Sequence, residues 1–314
     1  MTAAVLEAVP NFSEGRNLGT VEAIVDAIRG AGATVLDWSA DADHNRSVVT
    51  FVGTPDTVEE AAIAAARVAV ERIDLRTHDG VHPRIGAVDV LPFVPLLGLS
   101  RDDAIAIAHR AGTRLAREVG IPVFFYADAS SPPGRSLSEL RRGGYEALVG
   151  GWPEDRRPDA APADWPHAGA HPTAGATCVG ARPVLLAWNV LVRGLTIDAV
   201  KNVARSLRAR NGGPEGVRAL AFELPRRRAV QISMNLEDAE ARSPMDVFRR
   251  LESAVAAAGG EIVETEVIGM LPDRLVADAA AERLRLRGDA APRMLSRALT
   301  RYLAERDSAA GRLS

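Results

Sequence analysis

The sequence predicts a mixed α/β protein built of two subdomains. A chain of 314 residues exceeds what one hydrophobic core usually organises, so two subdomains of about 150 residues each are expected. The first half alternates strand-like apolar runs with amphipathic stretches, which predicts a mixed sheet. The second half follows the order β-α-β-β-α-β, the ferredoxin-like arrangement with an antiparallel sheet. We therefore expect subdomains at residues 1–180 and 181–314.

Capping signals locate the helices of the first half. Amphipathic Asn17–Gly30 predicts the first helix. Thr54-Pro55-Asp56 supplies an N-cap and a first-turn proline for the second, and Ser100–Asp103 resembles the capping box of a third. Pro10–Arg16 is expected to be a strand-to-helix loop. Strands are expected at Val5–Val9, Ala33–Asp37, Ser47–Val52, Ala87–Phe93 and Val123–Tyr126.

Glycines mark the ends of the predicted helices in the second half. Asn211-Gly212-Gly213 and Gly259-Gly260 follow its two main helices, where left-handed backbone favours glycine. Two further helices are expected within Arg274–Glu305. The strands are expected at Val184–Val192, Arg218–Glu223, Ala229–Met234 and Glu261–Val267, and the helices at Ile197–Arg210 and Met245–Ala258.

Composition excludes several classes of protein. No apolar run approaches the roughly 18 residues that a membrane span needs, and the N-terminus lacks the basic region of a signal peptide, so a cytoplasmic location is expected. A net charge of −3 argues against a general nucleic-acid binder. Cys178 is the single cysteine, which excludes an intramolecular disulfide and a four-thiolate zinc site. No metal is expected.

The segment between Gly150 and Gly175 predicts a loop, because Gly, Pro, Ala and His replace any periodic pattern. Long loops in compact domains are usually either functional or disordered. Trp152 and Trp165 favour a functional loop, which also marks the boundary between the halves.

His78 and His82 are spaced as two metal ligands on one helix face would be. Gly80 and Pro83 interrupt the segment, and no glutamate follows His78, so a zinc hydrolase is disfavoured. A loop that projects one imidazole into a cleft fits better, although a His-Pro pair is commonly just a turn.

Five stretches, taken together, resemble the glutamate formimidoyltransferase family. They occur in the family's order along nearly the whole chain. The stretches are Val9–Asn17, Asp41–Gly53 (DADHNRSVVTFVG), His82–Pro95 (HPRIGAVDVLPFVP), Gly175–Asn189 (GATCVGARPVLLAWN) and, more loosely, Gln231–Leu236 (QISMNL).

The resemblance implies transfer of a formimidoyl group between N-formimidoyl-L-glutamate and tetrahydrofolate, the co-substrate, in histidine degradation. It implies a homodimer of two-subdomain chains with folate between the subdomains. The family's catalytic histidine lies in a His-Pro-Arg motif, which here makes His82 the acid/base. One imidazole of near-neutral pKa can accept the proton of the attacking amine and return it to the leaving nitrogen.

The resemblance also nominates binding residues. Both substrates are anionic, which suits bidentate arginines, although Lys201 is the only lysine among 38 basic residues and most arginines are expected on the surface. Arg46, Arg84 and Arg182 lie within family motifs, Arg16 is a weaker candidate, and Asn45 and Asn189 offer amides or brace turns. The matching folate loop contributes Asp164, Trp165, Pro166, His167, Gly169, His171, Pro172, Thr173 and Gly175.

Three departures from the family pattern bear on the site. The family's Pro-Asp-Phe-Gly-Pro is Ala163–His167 here, and Val81 and Ser39 stand where many relatives have acidic residues. A carboxylate beside an imidazole raises its pKa, so Asp37 or Asp41 is a candidate replacement. Two alternatives stay open: formyl transfer from N-formylglutamate, and a folate-binding homologue without turnover.

Overall fold

The computed structural model describes residues 4–239, 241–286 and 288–310. Within them the chain divides into two compact units, the first ending at Arg182 and the second beginning at Pro183. The predicted mixed α/β class is confirmed, with one mixed and one antiparallel sheet. None of the described helices is long and apolar enough to cross a membrane.

The first unit is built on a mixed sheet. Its strands are β1 (Val5–Ala8), β2 (Asn11–Phe12), β3 (Thr34–Asp41), β4 (Arg46–Gly53), β5 (Val88–Leu97), β6 (Val123–Ala127) and β7 (Thr177–Ala181). β1 and β2 are successive parts of one path, interrupted at Val9 and Pro10, and both pair antiparallel with β4 and β5. β3 continues the sheet beyond β4, while β7 runs parallel to β5 and β6. Two of these strands, β2 and β7, were not predicted.

Helices cover one face of this sheet. They are α1 (Leu18–Gly30), α2 (Pro55–Arg72) and α3 (Arg101–Arg114), with short α4 (Leu137–Leu140) and α5 (Glu146–Val149) later in the chain. The predicted caps of α2 and α3 are confirmed: Thr54 caps α2, and Ser100 with Asp103 forms a capping box on α3. Asn17 caps α1. α1 to α3 bury the main core against inward residues such as Phe51, Phe93 and Phe125.

The other sheet face has a smaller core and a polar part. Phe124 and Cys178 pack there with Leu140 of α4 and Leu148 of α5. Because strand residues alternate between faces, Glu7, between Leu6 and Ala8 of the main core, points away from it. This second face is therefore where charged side chains gather.

The second unit has the predicted β-α-β-β-α-β order. It contains β8 (Leu185–Arg193), α6 (Ile197–Ser206), β9 (Val217–Leu224), β10 (Ala229–Glu237), α7 (Pro244–Ala257) and β11 (Glu261–Ile268). The sheet order β11-β8-β10-β9 is fully antiparallel. The predicted helix Ile197–Arg210 ends earlier, at Ser206, and a 3-10 turn at Ala209–Asn211 completes it. Two further helices, α8 (Asp273–Leu284) and α9 (Leu295–Ala310), follow as expected.

Candidate active site

Three loops of the first unit meet around Asn45. Its side-chain oxygen accepts from the backbone N–H of Gly15 at 3.0 Å, and its side-chain nitrogen donates to the carbonyl of Asp79 at 2.9 Å. The Asn45 backbone is left-handed, with φ 47°, a conformation that asparagine tolerates better than most residues. Asn45 therefore braces the loops that surround the candidate catalytic histidine.

The loop carrying His82 is fastened to the β3–β4 turn. Nε2 of His78 lies 2.9 Å from the carbonyl oxygen of Asn45, and the N–H of Val81 donates to the backbone carbonyl oxygen of Asp43 at 3.2 Å. A Cβ atom on Gly80 would lie 2.3 Å from the carbonyl oxygen of His44. The segment after α2 is a loop rather than a helix, so the helical metal-binding geometry of His78 and His82 is not formed.

His82 is oriented by the backbone. Its Nδ1 lies 2.8 Å from the carbonyl oxygen of Pro83. A carbonyl oxygen can only accept, so Nδ1 carries the proton of the neutral ring and Nε2 carries the lone pair. Among the described residues no group of three or more His, Cys, Asp or Glu side chains is placed to hold a metal ion.

The surroundings of His82 favour its neutral form. Desolvation holds the pKa of the imidazole well below its ordinary value, and the positive charges of Arg46 and Arg141 and the ring of His44 act in the same direction. The ring centroids of His44 and His82 are 6.0 Å apart. At neutral pH the ring is thus prepared to accept a proton rather than to donate one.

Asp41, one of the candidate carboxylates, stabilises the turn that contains His44. Its Oδ1 accepts from the backbone N–H groups of Asp43 and His44, each at 2.8 Å, and lies 3.1 Å from Nδ1 of His44. The other candidate, Asp37, lies on β3 opposite Thr50 of β4.

The three arginines from the family motifs occupy different settings. Arg46 donates to the side-chain oxygen of Asn11. Arg84 donates to the carbonyl of His78 at 3.1 Å and to Glu146 at 2.8 Å, so it ties the His82 loop to α5. Arg182 lies beside Glu7 and forms a hydrogen bond with the hydroxyl of Tyr126. The charge of Arg46 lowers the pKa of His82.

Arg16, the weaker candidate, also connects the loops around His82. Its guanidinium pairs with Asp79 of the His82 loop and donates to the carbonyl of Ala42 at 2.9 Å. Asn189 belongs to the second unit, on β8, where it donates to Glu266 at 3.4 Å.

The loop from Asp164 to Gly175 folds on itself. The indole N–H of Trp165 donates to the carbonyl of Gly169 at 2.9 Å, and the Trp165 and His167 rings lie 4.8 Å apart. Nδ1 of His171 accepts from the N–H groups of Thr173 and Ala174 at 3.3 and 3.1 Å. Burial, followed by the charge of His167, lowers the pKa of His171. Its neutral ring therefore stabilises the turn.

The ends of this loop are anchored to the first unit. The carbonyl of Pro172 accepts from the Tyr145 hydroxyl, and that of Thr173 accepts from the N–H of Leu75 at 2.8 Å. Gly169 and Gly175 lie where an added Cβ would meet backbone oxygen at 2.0 Å. Asp164 and Pro166 lie at the exposed surface of the loop.

Arg141, whose charge acts on His82, and its partner Asp89 were not predicted as site residues. Arg141, which follows α4, forms an ion pair with Asp89 of β5, a residue only 1% exposed. Asp89 Oδ1 also accepts from the N–H of Ile85 at 2.9 Å. A lone aspartate inside the apolar run Val88–Val94 was a signal for a buried partner. Nothing in the pattern around Arg141 identified that partner.

Comparison with known proteins relates both units to one family. Residues 5–182 match the model of the formiminotransferase domain, N-terminal subdomain, and residues 187–286 match that of the formiminotransferase domain. A glutamate formimidoyltransferase of Streptococcus pyogenes is 37% identical over 280 residues, covering 88% of this chain and 92% of that protein. One from Thermoplasma acidophilum is 38% identical over 290 residues, covering 91% and 94%. A formimidoyltransferase-cyclodeaminase of Rattus norvegicus is 36% identical over 285 residues, or 88% of this chain but 52% of that protein.

Proposed function

The chain belongs to the formiminotransferase family, and we propose that it moves the formimidoyl group between N-formimidoyl-L-glutamate and tetrahydrofolate. The observation that carries the proposal is the state of His82. A neutral imidazole with Nδ1 bonded to the Pro83 carbonyl presents the lone pair of Nε2 as a base. The products are L-glutamate and 5-formimidoyltetrahydrofolate, which places the reaction in histidine degradation.

The chemistry needs one proton to move twice. N5 of tetrahydrofolate forms a bond to the carbon of the protonated formimidoyl group, an amidinium, whose C=N bond becomes a C–N single bond to a neutral amine in a tetrahedral intermediate. His82 accepts the proton that N5 loses. The resulting imidazolium donates it to the glutamate nitrogen as the bond from carbon to that nitrogen breaks and the C=N bond re-forms. His82 ends neutral, as it began.

The binding residues are proposed on what they contact. Arg46 is assigned to an anionic group of the substrates because it acts on His82. The loop from Asp164 to Gly175 is assigned to folate, and the rings of Trp165, His167 and His171, with centroids 4.8–6.2 Å apart, support that role. Aromatic faces of this kind stack on planar rings. We assign Arg84 and Asn45 to holding the His82 loop in place.

We also propose a subdomain organisation, a cellular location and an oligomeric state. Residues 1–180 and 181–314 are proposed as the two subdomains of one transferase, supported by the division into compact units between Arg182 and Pro183. A cytoplasmic homodimer is proposed from the family resemblance. Sedimentation equilibrium of the purified chain measures its mass against the 33.3 kDa of one protomer.

The test is a spectroscopic assay with tetrahydrofolate and either N-formimidoyl- or N-formyl-L-glutamate. Formation of 5-formimidoyltetrahydrofolate with one glutamate released per turnover supports the proposal. Transfer from the formyl donor alone would replace it with formyl transfer on the same scaffold. Folate binding without transfer from either donor would contradict it and leave a binding protein.

A further inference from the structure

Two arginines from distant parts of the first unit flank His82. Arg46 is the first residue of β4 and donates a hydrogen bond to the side-chain oxygen of Asn11. Arg141 follows α4 and is held by Asp89, with the arginine side chain 11% and the aspartate side chain 2% exposed. Both guanidinium groups act on the His82 ring. The imidazole thus shares its surroundings with two fixed cations.

Each of these arginines has a buried donor that the protein leaves unused. Within the described residues, Nε of Arg46 and Nε of Arg141 are buried and have no hydrogen-bond partner. Buried polar groups in native proteins are nearly always satisfied, and the exceptions concentrate at functional positions. Two guanidinium groups that act on one imidazole, each with an unused N–H, are suited to an acceptor that the protein itself does not provide.

The charges point to an anionic acceptor. Burial first, and then the like charge of Arg141, lowers the pKa of Arg46 to about 10. Asp89 and Asp41 oppose this effect on Arg46, and Asp89 compensates Arg141. An anion bound between the arginines would relieve their repulsion.

We propose that Arg46 and Arg141 together bind the α-carboxylate of the dicarboxylic amino-acid donor beside His82. This inference rests on the proposed function. In N-formimidoyl-L-glutamate the reacting carbon is joined to the amino nitrogen, so only that nitrogen and Cα separate it from the α-carboxylate. In tetrahydrofolate the aminobenzoyl group separates N5 from the glutamate carboxylates. The donor is therefore the substrate that can place a carboxylate and the reacting carbon together at His82.

The site makes the histidine responsive to its substrate. A carboxylate bound to both arginines offsets the two positive charges that act on the ring, so the pKa of His82 rises when the donor binds. Deprotonation of N5 by His82 becomes more favourable in the occupied site than in the empty one.

The test compares Arg141→Gln and Arg141→Lys with Arg142→Gln. Arg142 is an exposed neighbour paired with Asp155, so it is a matched control. We expect Arg141→Gln to raise KM for formimidoylglutamate at least tenfold while KM for tetrahydrofolate changes less than twofold. Arg141→Lys, which keeps a cation beside Asp89, should be intermediate, and it gives the same readout if the glutamine variant does not fold. Equal effects on both KM values, or no difference from Arg142→Gln, would overturn the proposal.

A second readout does not depend on turnover, so it separates this inference from the proposed function. The pKa of His82 is measured by NMR titration of its Cε1–H resonance, assigned with His82→Gln, with and without L-glutamate. We expect L-glutamate to raise this pKa in the wild type and in Arg142→Gln. It should have little effect in Arg141→Gln, whose His82 pKa is already higher without ligand. A His82 pKa that L-glutamate leaves unchanged in the wild type would overturn the two-arginine site even if transfer is observed.

Discussion

Nδ1 of His82 lies 2.8 Å from the carbonyl oxygen of Pro83, the next residue in the chain. This one contact fixes the tautomer of the neutral ring, because a carbonyl oxygen cannot donate. The Pro83 carbonyl raises the pKa of the ring, but desolvation and the charges of Arg46, Arg141 and His44 lower it more. The site therefore combines a defined tautomer with a weakly basic ring.

The acidic limb of the pH–rate profile should lie below the ordinary histidine range. His82 must be neutral to accept the N5 proton, and it is neutral above its own pKa, which desolvation and then Arg46 hold well below 6.5. The value of kcat/KM should therefore rise with pH through that low pKa and be flat near neutrality. Measuring kcat/KM for the formimidoyl donor from pH 4.5 to 8 checks this. A limb centred at or above 6.5 would contradict the assigned electrostatics.

Gly80→Ala should impair transfer more than stability. An added Cβ would lie 2.3 Å from the carbonyl oxygen of His44, so the loop carrying His82 must move away from the β3–β4 turn. Misplacing a catalytic group by about 1 Å can cost on the order of 100-fold in rate. We expect kcat to fall about 10- to 100-fold.

The matched control for Gly80 is Gly30→Ala at the end of α1, where an added Cβ meets nothing within 4 Å. It should retain full activity, since the site is remote from that surface. Steady-state kinetics with a thermal melt of each variant separates the two effects. An active Gly80→Ala enzyme would show that the loop does not depend on its contact with His44.

Asn45 should stabilise the protein through its side-chain amide as well as its backbone. Asn45→Ala loses the bonds to Gly15 and Asp79 and keeps a left-handed backbone that alanine disfavours. Asn45→Gly loses only the bonds. Each lost hydrogen bond is worth about 1 kcal/mol, and left-handed backbone costs alanine roughly 1–2 kcal/mol. Urea unfolding should rank wild type above Asn45→Gly and Asn45→Gly above Asn45→Ala. Equal stability of the wild type and Asn45→Gly would show that the amide does not brace the loops.

Glu7→Gln should stabilise the protein at neutral pH. Glu7 is 8% exposed, and burial raises its pKa although Arg182 opposes the shift. Below the unfolded pKa of about 4.5 the carboxyl is protonated in both states, so the substitution should change little. Above the raised folded pKa it is ionised in both states, and the full cost of burying the charge is present. The gain in melting temperature should therefore grow from pH 4 to pH 8; a constant or decreasing gain would contradict this.

Local patterns predicted most of the fold because the forces behind them are local. The N-cap at Thr54 and the capping box at Ser100 and Asp103 predicted where two helices begin to within a residue. The second unit followed its β-α-β-β-α-β pattern because alternating side chains and helix caps agree along its length. β2 was not predicted, because it is two residues long and is set apart from β1 by Val9 and Pro10. β7 was not predicted either, because its pairing with β5 and β6 is long-range.

The same distinction between local patterns and long-range contacts separates the site residues that were predicted from those that were not. The His-Pro-Arg segment and the polar turn around Asn45 were found because both lie in stretches that resemble the family. Arg141 was not found, because its place beside His82 depends on an ion pair with Asp89 that joins two segments far apart in sequence. Its own surroundings lack periodicity. Only the folded sheet brings Arg46, Arg141 and His82 together.

The most direct test of the account is single-turnover transfer by His82→Gln. His109→Gln, which changes an exposed histidine of α3, is the control. General acid–base catalysis by a positioned side chain contributes about 10²–10⁴-fold. We predict that His82→Gln binds tetrahydrofolate as the wild type does and forms 5-formimidoyltetrahydrofolate about 10²–10⁴-fold more slowly, with His109→Gln unaffected. A His82→Gln enzyme that transfers the group at a rate near that of the wild type would contradict the account.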